Sequence, residues 1–420
     1  MTMNRRRFLG GSAGLAGMSA LAAAKAADKP NERVVLAVMG VRGRGKDLVR
    51  GFSAIDGVEI GCLCEVDGRV VPAALKAVAA RQKQPPRVER DIRRVLEDKS
   101  ITGLVVAAPD HWHALATVWA CQAGKHVYVE KPVSHNLVEG RRMVEAARRH
   151  KCVVQVGTQR RSGAHFQSAA EFVRSGKLGK TPFARTWIAG NRPSIGRQKD
   201  AAVPKEVDYS LWLGPAAERP FNPNRFHYNW HWFWDYGTGE LGNNGIHALD
   251  VARWVMGLDA PVRISAGGGK YFYDDDQQTP DTQVATFDFA NCAVTWEHRI
   301  WSRTGSEGQS WGVIVYGERG TLVFDNRGWR ITDGIEASDK AQEYDRAHLR
   351  NFLDCIRSGQ RPNADIEDGH KSTRLCHLGN IAWRLGRTLR FDGASETIPG
   401  DAEANRLLTR NYRKPFAMPG

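Results

Sequence analysis

The 420-residue sequence lacks the patterns that mark several other classes of protein. Its seven cysteines, an odd number, show neither metal-type spacing nor a paired framework, so we expect buried thiols and no metal site. If the protein is exported, one disulfide is an alternative, and the sequence does not locate it. Beyond the N-terminal segment, no stretch is long and apolar enough to span a bilayer, and no internal repeat is evident. The basic residues are scattered and accompany no nucleic-acid-binding motif, which argues against nucleic acid as a partner.

The composition is that of a large mixed α/β enzyme. A chain of 420 residues accommodates two sizeable domains. Its 13 tryptophans and 43 glycines fit tight turns and an aromatic-lined site better than a helical bundle. The formal net charge is +14, and with the basic residues so dispersed it indicates a solvated surface and attraction to anionic ligands.

The first 30 residues read as a targeting segment. Residues 4–9, NRRRFL, resemble the twin-arginine export motif and precede a weakly hydrophobic run over residues 9–24. Ala24-Lys25-Ala26 is a plausible small-residue cleavage site, and a membrane anchor is the alternative. We therefore expect the twin-arginine (Tat) translocase to export the folded chain, leaving a periplasmic or otherwise exported protein with no stable membrane anchor.

A glycine-rich loop follows the first predicted strand. Residues 33–39 form an apolar run, and a helical pattern covers residues 46–52. Strand, glycine loop and helix together let backbone N–H groups hold a pyrophosphate. The loop residues predicted to bind the cofactor are Gly40, Arg42, Gly43, Arg44 and Gly45.

A second strand over residues 58–64 ends at Glu65, followed by Val66 and Asp67. An acidic side chain about twenty residues beyond the loop bonds the adenosine ribose, which favours NAD. The arginines of the loop keep NADP open, since arginine accommodates a 2′-phosphate.

Strand and helix patterns then alternate, which predicts a doubly wound parallel sheet. Further strands are predicted over residues 101–108, 126–129 and 152–156, with helices over 113–123 and 137–149. Polar residues follow each of the three strands, and we expect them to line one crevice. They are Asp110, His111 and His113, then Glu130 and Lys131, then Gln159, Arg160 and Arg161.

The second half is loop-rich over residues 191–226 and then carries an aromatic cluster. Clusters of this kind are usually core or interface, although interleaved polar residues also fit a sugar platform. The cluster comprises Phe226, Tyr228, Trp230, Trp232, Phe233, Trp234 and Tyr236. Probable strands over residues 262–272, 282–289, 293–301, 312–317 and 321–325 precede helices over 344–357 and 366–387. We expect the sheet to be largely antiparallel, and the tail to wrap the surface or a neighbouring subunit.

Four segments together, GVRGRG, PDHWH, EKPVSHN and GNNGIHALDVARW, resemble those of the Gfo/Idh/MocA oxidoreductase family. The resemblance covers nearly the whole mature chain. It implies an NAD(P)-binding Rossmann domain over residues 31–160 and a substrate-binding α/β domain with a large open sheet over 161–390. Residues 391–420 would form the tail. It also implies tightly bound NAD, with NADP as the alternative, and a carbohydrate substrate.

By position, His247 matches the histidine of the family's Asp-x-x-x-His motif, whereas Asn243 stands where the aspartate is expected. Acid-base work therefore falls to Lys131 or His247. The other residues expected at the cofactor are Pro109, His113, Glu130 and Gln159, and those expected at the substrate are Arg160, Trp230, Asn243 and Asn244.

We therefore expect hydride transfer from a carbinol carbon of a sugar or polyol to NAD. One alternative is an NAD-dependent glycosidase or lyase that oxidises the sugar transiently, with no net redox change. A non-catalytic sugar-binding protein is a further alternative. We also expect a homo-oligomer, either a dimer or a tetramer.

Overall fold

The computed structural model describes residues 33–325 and 327–419, and the twin-arginine segment lies outside them. The first half of the described chain forms a six-stranded parallel sheet, ordered β3-β2-β1-β4-β5-β6. Its strands are β1 (Val34–Met39), β2 (Val58–Cys64), β3 (Arg87–Glu89), β4 (Gly103–Val106), β5 (His126–Val129) and β6 (Val154–Val156). The strand order reverses between β1 and β4, so the carboxyl ends of the strands open a crevice there.

Five helices accompany this sheet. They are α1 (Arg44–Ser53), α2 (Val71–Ala79), α3 (Ile92–Leu96), α4 (Asp110–Gln122) and α5 (Leu137–Arg149). Leu36 enters the core on one face of the sheet and Ala37 the core on the other, because successive strand residues face opposite ways. Cys62 and Cys64 share one face and are buried, as their spacing predicts. Both faces of the sheet are therefore covered, as the doubly wound pattern requires.

The second half forms a nine-stranded sheet, ordered β14-β13-β12-β11-β7-β10-β9-β8-β15. All neighbours in it are antiparallel except β7 and β10. The strands are β7 (Phe183–Ala189), β8 (Arg263–Gly269), β9 (Thr282–Asp288), β10 (Ala293–Arg299), β11 (Trp311–Gly317), β12 (Gly320–Asp325), β13 (Gly328–Gly334), β14 (Ser338–Lys340) and β15 (Leu389–Arg390). The mostly antiparallel open sheet is therefore confirmed.

Six more helices belong to this half of the chain. They are α6 (Ala164–Arg174), α7 (Tyr209–Leu213), α8 (Ile246–Val255), α9 (Asp345–Ser358), α10 (Ile366–Leu385) and α11 (Ala402–Arg406). On β9, Phe287 is buried in the core shared with α8 and α10, while Val284 on the other face is 50% exposed. Helices thus cover one face of the large sheet.

The chain returns to the first sheet after it has built the second. Phe352 of α9 packs edge-on against Phe52 and Tyr128, within the core of the parallel sheet. Helix α10 contacts both α5 and α8, so it joins the two cores. The core of the parallel sheet therefore includes residues far beyond the boundary expected at residue 160.

The C-terminal tail is more deeply packed than its sparse apolar content suggests. Ile398 and Leu408 are buried in the core of the second half, and Phe416 stacks edge-on against Trp112 near the first sheet. Few apolar residues suffice here because each one enters an existing core.

Among the described residues, no helix is long and apolar enough to cross a membrane.

Candidate active site

A cavity of about 590 Å³ lies at the carboxyl ends of the parallel strands. It brings together every residue assigned to the cofactor, the substrate or proton transfer except Gly45, which lies in α1. The residues that line it are Gly40, Arg42, Gly43, Arg44, Glu65, Pro109, His113, Glu130, Lys131, Gln159, Arg160, Trp230, Asn243, Asn244 and His247. Residues distant in sequence therefore converge on one crevice.

The glycine loop requires its glycines. A Cβ atom on Gly45 would lie 1.8 Å from the main-chain oxygen of Gly40, and one on Gly40 would lie 2.8 Å from that of Ala107. Helix α1 begins directly after Gly43, whose φ is 52°, and no side chain caps its first N–H groups. Close backbone approach and free N–H groups at a helix N-terminus suit a pyrophosphate.

Two carboxylates at the end of β2 hold the surrounding backbone. Glu65 accepts hydrogen bonds from the N–H groups of Val41 (2.9 Å) and Asp67 (3.0 Å), while burial raises the pKa of its carboxyl. Asp67 is fully buried; although burial opposes it, bonds from Arg69 and His227 hold its pKa at about 2. Glu65 thus fastens the glycine loop to β2 and keeps lone pairs for a ribose.

Arg44 is not free to bind a phosphate. Its Nε donates to Glu130 Oε1 at 2.8 Å, which ties the start of α1 to the end of β5. Burial lowers the pKa of Arg44, but the charge and hydrogen bond of Glu130, together with Tyr128 and Asp345, raise it above its usual value. The pair is internally neutralised, so of the two loop arginines only Arg42 is available for a 2′-phosphate.

Lys131 lies at the end of β5 and points into the cavity. Its Nζ donates to the main-chain oxygen of Asn243 at 2.6 Å and to the side-chain Oδ1 of the same residue at 3.0 Å. Burial lowers the pKa of Lys131, against the opposing charges of Glu130, Asp110 and Glu240. The lowered pKa favours the neutral form of the amine, and in that form an amine that donates two hydrogens this way keeps a lone pair for a proton.

Two buried carboxyl groups lie near this lysine: Asp110, which was expected in the crevice without a role, and Glu240, which sequence analysis did not predict. Asp110 accepts a hydrogen bond from Thr238 Oγ1 at 2.9 Å, and burial raises its pKa to about 8. Glu240 is 2% exposed and accepts from Asn243 Nδ2 (3.3 Å) and from Arg192 (3.2 Å). Glu240 therefore fixes the orientation of the amide that faces Lys131. The adjacent Asn-Asn pair and the acidic residue before it were the available sequence signal.

His247 offers a second basic group. Its Nδ1 is buried and has no hydrogen-bond partner among the described residues. Burial lowers its pKa well below the usual value, and the positive charges of Arg160 and Lys131 lower it further. The ring is therefore neutral at pH 7 and able to accept a hydrogen bond.

Two residues predicted to face the crevice point elsewhere. His111 Nε2 contacts the main-chain oxygen of Trp212 at 2.9 Å, and Arg161 is paired with Asp250 at 2.8 Å in the protein interior. The reason is local geometry, because His111 lies in the first turn of α4 and Arg161 in a 3-10 turn over residues 159–162. Successive residues of a helical turn face different directions.

The aromatic cluster is divided between core and cavity. Trp232 and Tyr236 are buried in a small core of their own, whereas Trp230 lines the cavity and stacks on His231 with ring centroids 3.6 Å apart. His231 and Tyr228 also line the cavity, although neither was predicted as a site residue.

Within the described ranges, no group of three His, Cys, Asp or Glu residues could hold a metal ion.

Comparison with known proteins identifies both halves of the chain. The model of the oxidoreductase family's NAD-binding Rossmann fold matches residues 35–158, and that of its C-terminal alpha/beta domain matches residues 187–418. The chain is 24% identical to myo-inositol 2-dehydrogenase of Thermotoga maritima over 318 residues, which cover 72% of this chain and 84% of that one.

Two further likenesses are more limited in identity or in coverage. A levoglucosan dehydrogenase solved with NADH and levoglucosan has a TM-score of 0.66 at 16% identity, over 85% of this chain and 99% of that one. A glycosyl hydrolase family 109 protein of Solibacter usitatus is 32% identical over 131 residues, which are 29% of this chain and 30% of that one. The two family models together span most of the chain, which therefore belongs to the Gfo/Idh/MocA family of NAD-binding oxidoreductases.

Proposed function

We propose that the protein oxidises a carbinol group of a sugar, polyol or related carbohydrate, with Lys131 and His247 handling the proton. The observation that carries this proposal is the buried Lys131 amine, which faces the cavity with a lowered pKa. The dehydrogenase relatives named above, which act on inositol and levoglucosan, support a carbohydrate.

The residues of the cavity fit NAD. The N–H groups of the glycine loop would hold its pyrophosphate, and Glu65 would bond its ribose. Pro109, His113, Glu130 and Gln159 line the same cavity near Lys131 and would surround its reactive end. When bound, NAD supplies the acceptor for a hydride from the carbon that carries the hydroxyl group.

The chain's own residues then move one proton. The free lone pair of Lys131 accepts it from the substrate hydroxyl, and neutral His247 bonds the same hydroxyl and aligns it. Asn243, held by Glu240, fixes the amine. Trp230 and Tyr228 cover the cavity and limit access of water.

The test begins with the purified protein and its retained cofactor. Absorbance at 340 nm and product analysis are followed together over a panel of sugars and polyols. Net NADH formation with an oxidised product supports the proposal. A protein that retains NAD yet oxidises no member of a broad panel would contradict it.

A redox-neutral glycosidase is the second candidate. Its support is the match to glycosyl hydrolase family 109 proteins, together with Asp110, whose raised pKa keeps it protonated as a proton donor at pH 7. Release of a free sugar from a glycoside, with no net change at 340 nm, would establish this reaction in place of the first.

We also propose export through the twin-arginine pathway and a homo-oligomer, dimer or tetramer. Replacing Arg5 and Arg6 by lysine should trap the protein in the cytoplasm, and processed wild-type protein should appear in the periplasmic fraction. Sedimentation equilibrium measures the oligomer. Cytoplasmic, unprocessed wild-type protein would contradict the export proposal.

A further inference from the structure

The guanidinium of Arg160 has no ion-pair partner among the described residues. It lines the cavity and lies over the ring of Trp311 at 4.2 Å from the ring centroid. Within residues 33–325 and 327–419, no carboxylate lies within salt-bridge distance of it, and no hydrogen bond involves its side chain. Burial lowers the pKa of this guanidinium, against the opposing charges of Asp250 and Asp345, which lie beyond ion-pair distance.

Neighbouring arginines show how the chain treats the same side chain elsewhere. Arg161, the next residue, is held by Asp250, while Arg44 is held by Glu130 and Arg192 by Glu240. Buried charges are ordinarily paired, because an uncompensated one costs several kcal/mol. An unpaired guanidinium that faces a cavity is therefore matched to an anion that enters the cavity.

Position in the sheet separates this charge from the phosphate cradle. Arg160 follows β6, which is three strands from β1 and its glycine loop. At about 4.8 Å between strands, the two strand ends are roughly 14 Å apart. Arg160 is near enough to His247 for its charge to lower the pKa of that ring. An anion bound by Arg160 would therefore lie at the reacting end of the cavity, near His247.

The geometry favours a carboxylate over a phosphate. Stacking on Trp311 occupies one face of the guanidinium and leaves the N–H groups at its edge for a planar, bidentate partner. One guanidinium balances the single charge of a carboxylate, whereas a phosphate dianion calls for more cations. Lys131 does not supply a second, because its amine is engaged by Asn243.

We propose that the substrate is a sugar acid, such as a uronic or aldonic acid, and that Arg160 binds its carboxylate. This inference rests on the proposed function and narrows its substrate class.

The test compares matched pairs of ligands on the cofactor-loaded, full-length protein. Glucuronate against glucose, galacturonate against galactose and gluconate against glucitol differ chiefly in one carboxylate. Calorimetric titration should show at least one acid binding about 10- to 100-fold more tightly than its neutral partner, the worth of a charged hydrogen-bonded pair. Equal affinities in all three pairs would overturn the inference.

Variants assign the effect to the residue. Arg160→Gln should abolish the preference for the acid, and Arg160→Lys should retain part of it. Arg384→Gln is the control, because it removes an exposed guanidinium that likewise lies over an indole, that of Trp234, outside the cavity. The inference is wrong if Arg160→Gln keeps the preference, or if Arg384→Gln loses it equally.

Two other anions are distinguished in the same series. Tighter binding of glucose 6-phosphate than of glucuronate would show a phosphate site instead. Loss of retained NAD in Arg160→Gln would show that Arg160 serves a cofactor phosphate. Acid binding without turnover of any sugar would contradict the proposed function alone, whereas NADH formation from neutral sugars only would contradict this inference alone.

Discussion

The two ends of the cavity neutralise their charges differently. At the glycine-loop end, Arg44 is paired with Glu130, and the Glu65 carboxylate accepts two backbone N–H groups. At the opposite end, Arg160 has no ion-pair partner among the described residues, and the Lys131 amine donates only to uncharged oxygens of Asn243. At the first end the Arg44 and Glu65 side chains are therefore held within the chain, and the uncapped N–H groups of α1 are left for the cofactor. The groups at the second end gain their partners only when a substrate binds.

This difference separates preorganisation from recognition. Groups held in place by the chain position the backbone around the same cofactor in every turnover, so no conformational entropy is lost there when the cofactor binds. Groups without partners in the chain bind more tightly to a ligand that provides those partners. The adjacent residues Arg160 and Arg161 show both situations within one turn of chain, and they give the strongest test of the contrast.

The largest effect is expected from breaking the buried pair. Arg161→Gln leaves the Asp250 carboxylate, 1% exposed, without its partner, and should lower the free energy of unfolding by about 3–5 kcal/mol. Arg160→Gln removes a charge that is in no ion pair in the described chain and should leave that free energy unchanged or higher. Urea unfolding measures both. Greater destabilisation by Arg160→Gln would break the comparison.

The glycine loop comes next. Gly45→Ala places a methyl group against the main-chain oxygen of Gly40 and should cost about 3 kcal/mol, with loss of retained NAD. Gly124→Ala is the matched control: its φ of 70° carries a backbone cost of about 1 kcal/mol, a Cβ there meets nothing within 4 Å, and it lies outside the cavity. Nucleotide content after gel filtration and thermal unfolding measure the two. Equal losses would show that close approach is not what the loop requires.

Local signals explain why so much of the cofactor end could be predicted. The apolar strand before Gly40 and the helix after it are adjacent in sequence, so their pattern is visible without knowledge of the fold. The same holds for Glu65 and Lys131, each at the end of a buried strand. Strands β13 and β14 were missed, because residues such as Asp333, Gly334 and Lys340 give no alternating pattern.

Long-range pairings could not be predicted. The bonds from His227 to Asp67 and from Arg192 to Glu240 join residues that share no local pattern. The return of α9 to the first core depends on the path of the whole chain. Which of Arg160 and Arg161 faces the cavity depends on a single 3-10 turn, which composition does not indicate.

A smaller effect should follow from giving Lys131 a carboxylate. Asn243→Asp places a negative charge where Oδ1 now lies 3.0 Å from Nζ, so it should raise the pKa of Lys131 by about one unit or more. The protonated form is then more favoured, and the rising limb of kcat/KM against pH moves to higher pH. Asn244→Asp, which adds the charge one residue away, should shift it less. A limb that moves to lower pH would contradict the role of Lys131.

The smallest effect concerns the contact that closes the glycine-loop end. His227 lines the cavity and contacts the buried Asp67 at 2.5 Å. His227→Ala should speed NAD release several-fold, equivalent to about 1 kcal/mol. His150→Ala, at an exposed position after α5, is the control. Stopped-flow displacement of the cofactor gives both rates, and unchanged release from His227→Ala would remove this residue from the account.

The central claim is that Lys131 takes the proton from the substrate hydroxyl. The direct measurement is a single-turnover record of NADH formation in wild-type protein and in Lys131→Met, each loaded with NAD and mixed with a substrate that the panel identifies. The account predicts equal retained NAD and a rate at least about 100-fold lower in the variant, the usual loss for a proton-transfer group. Equal rates in the two proteins would contradict it.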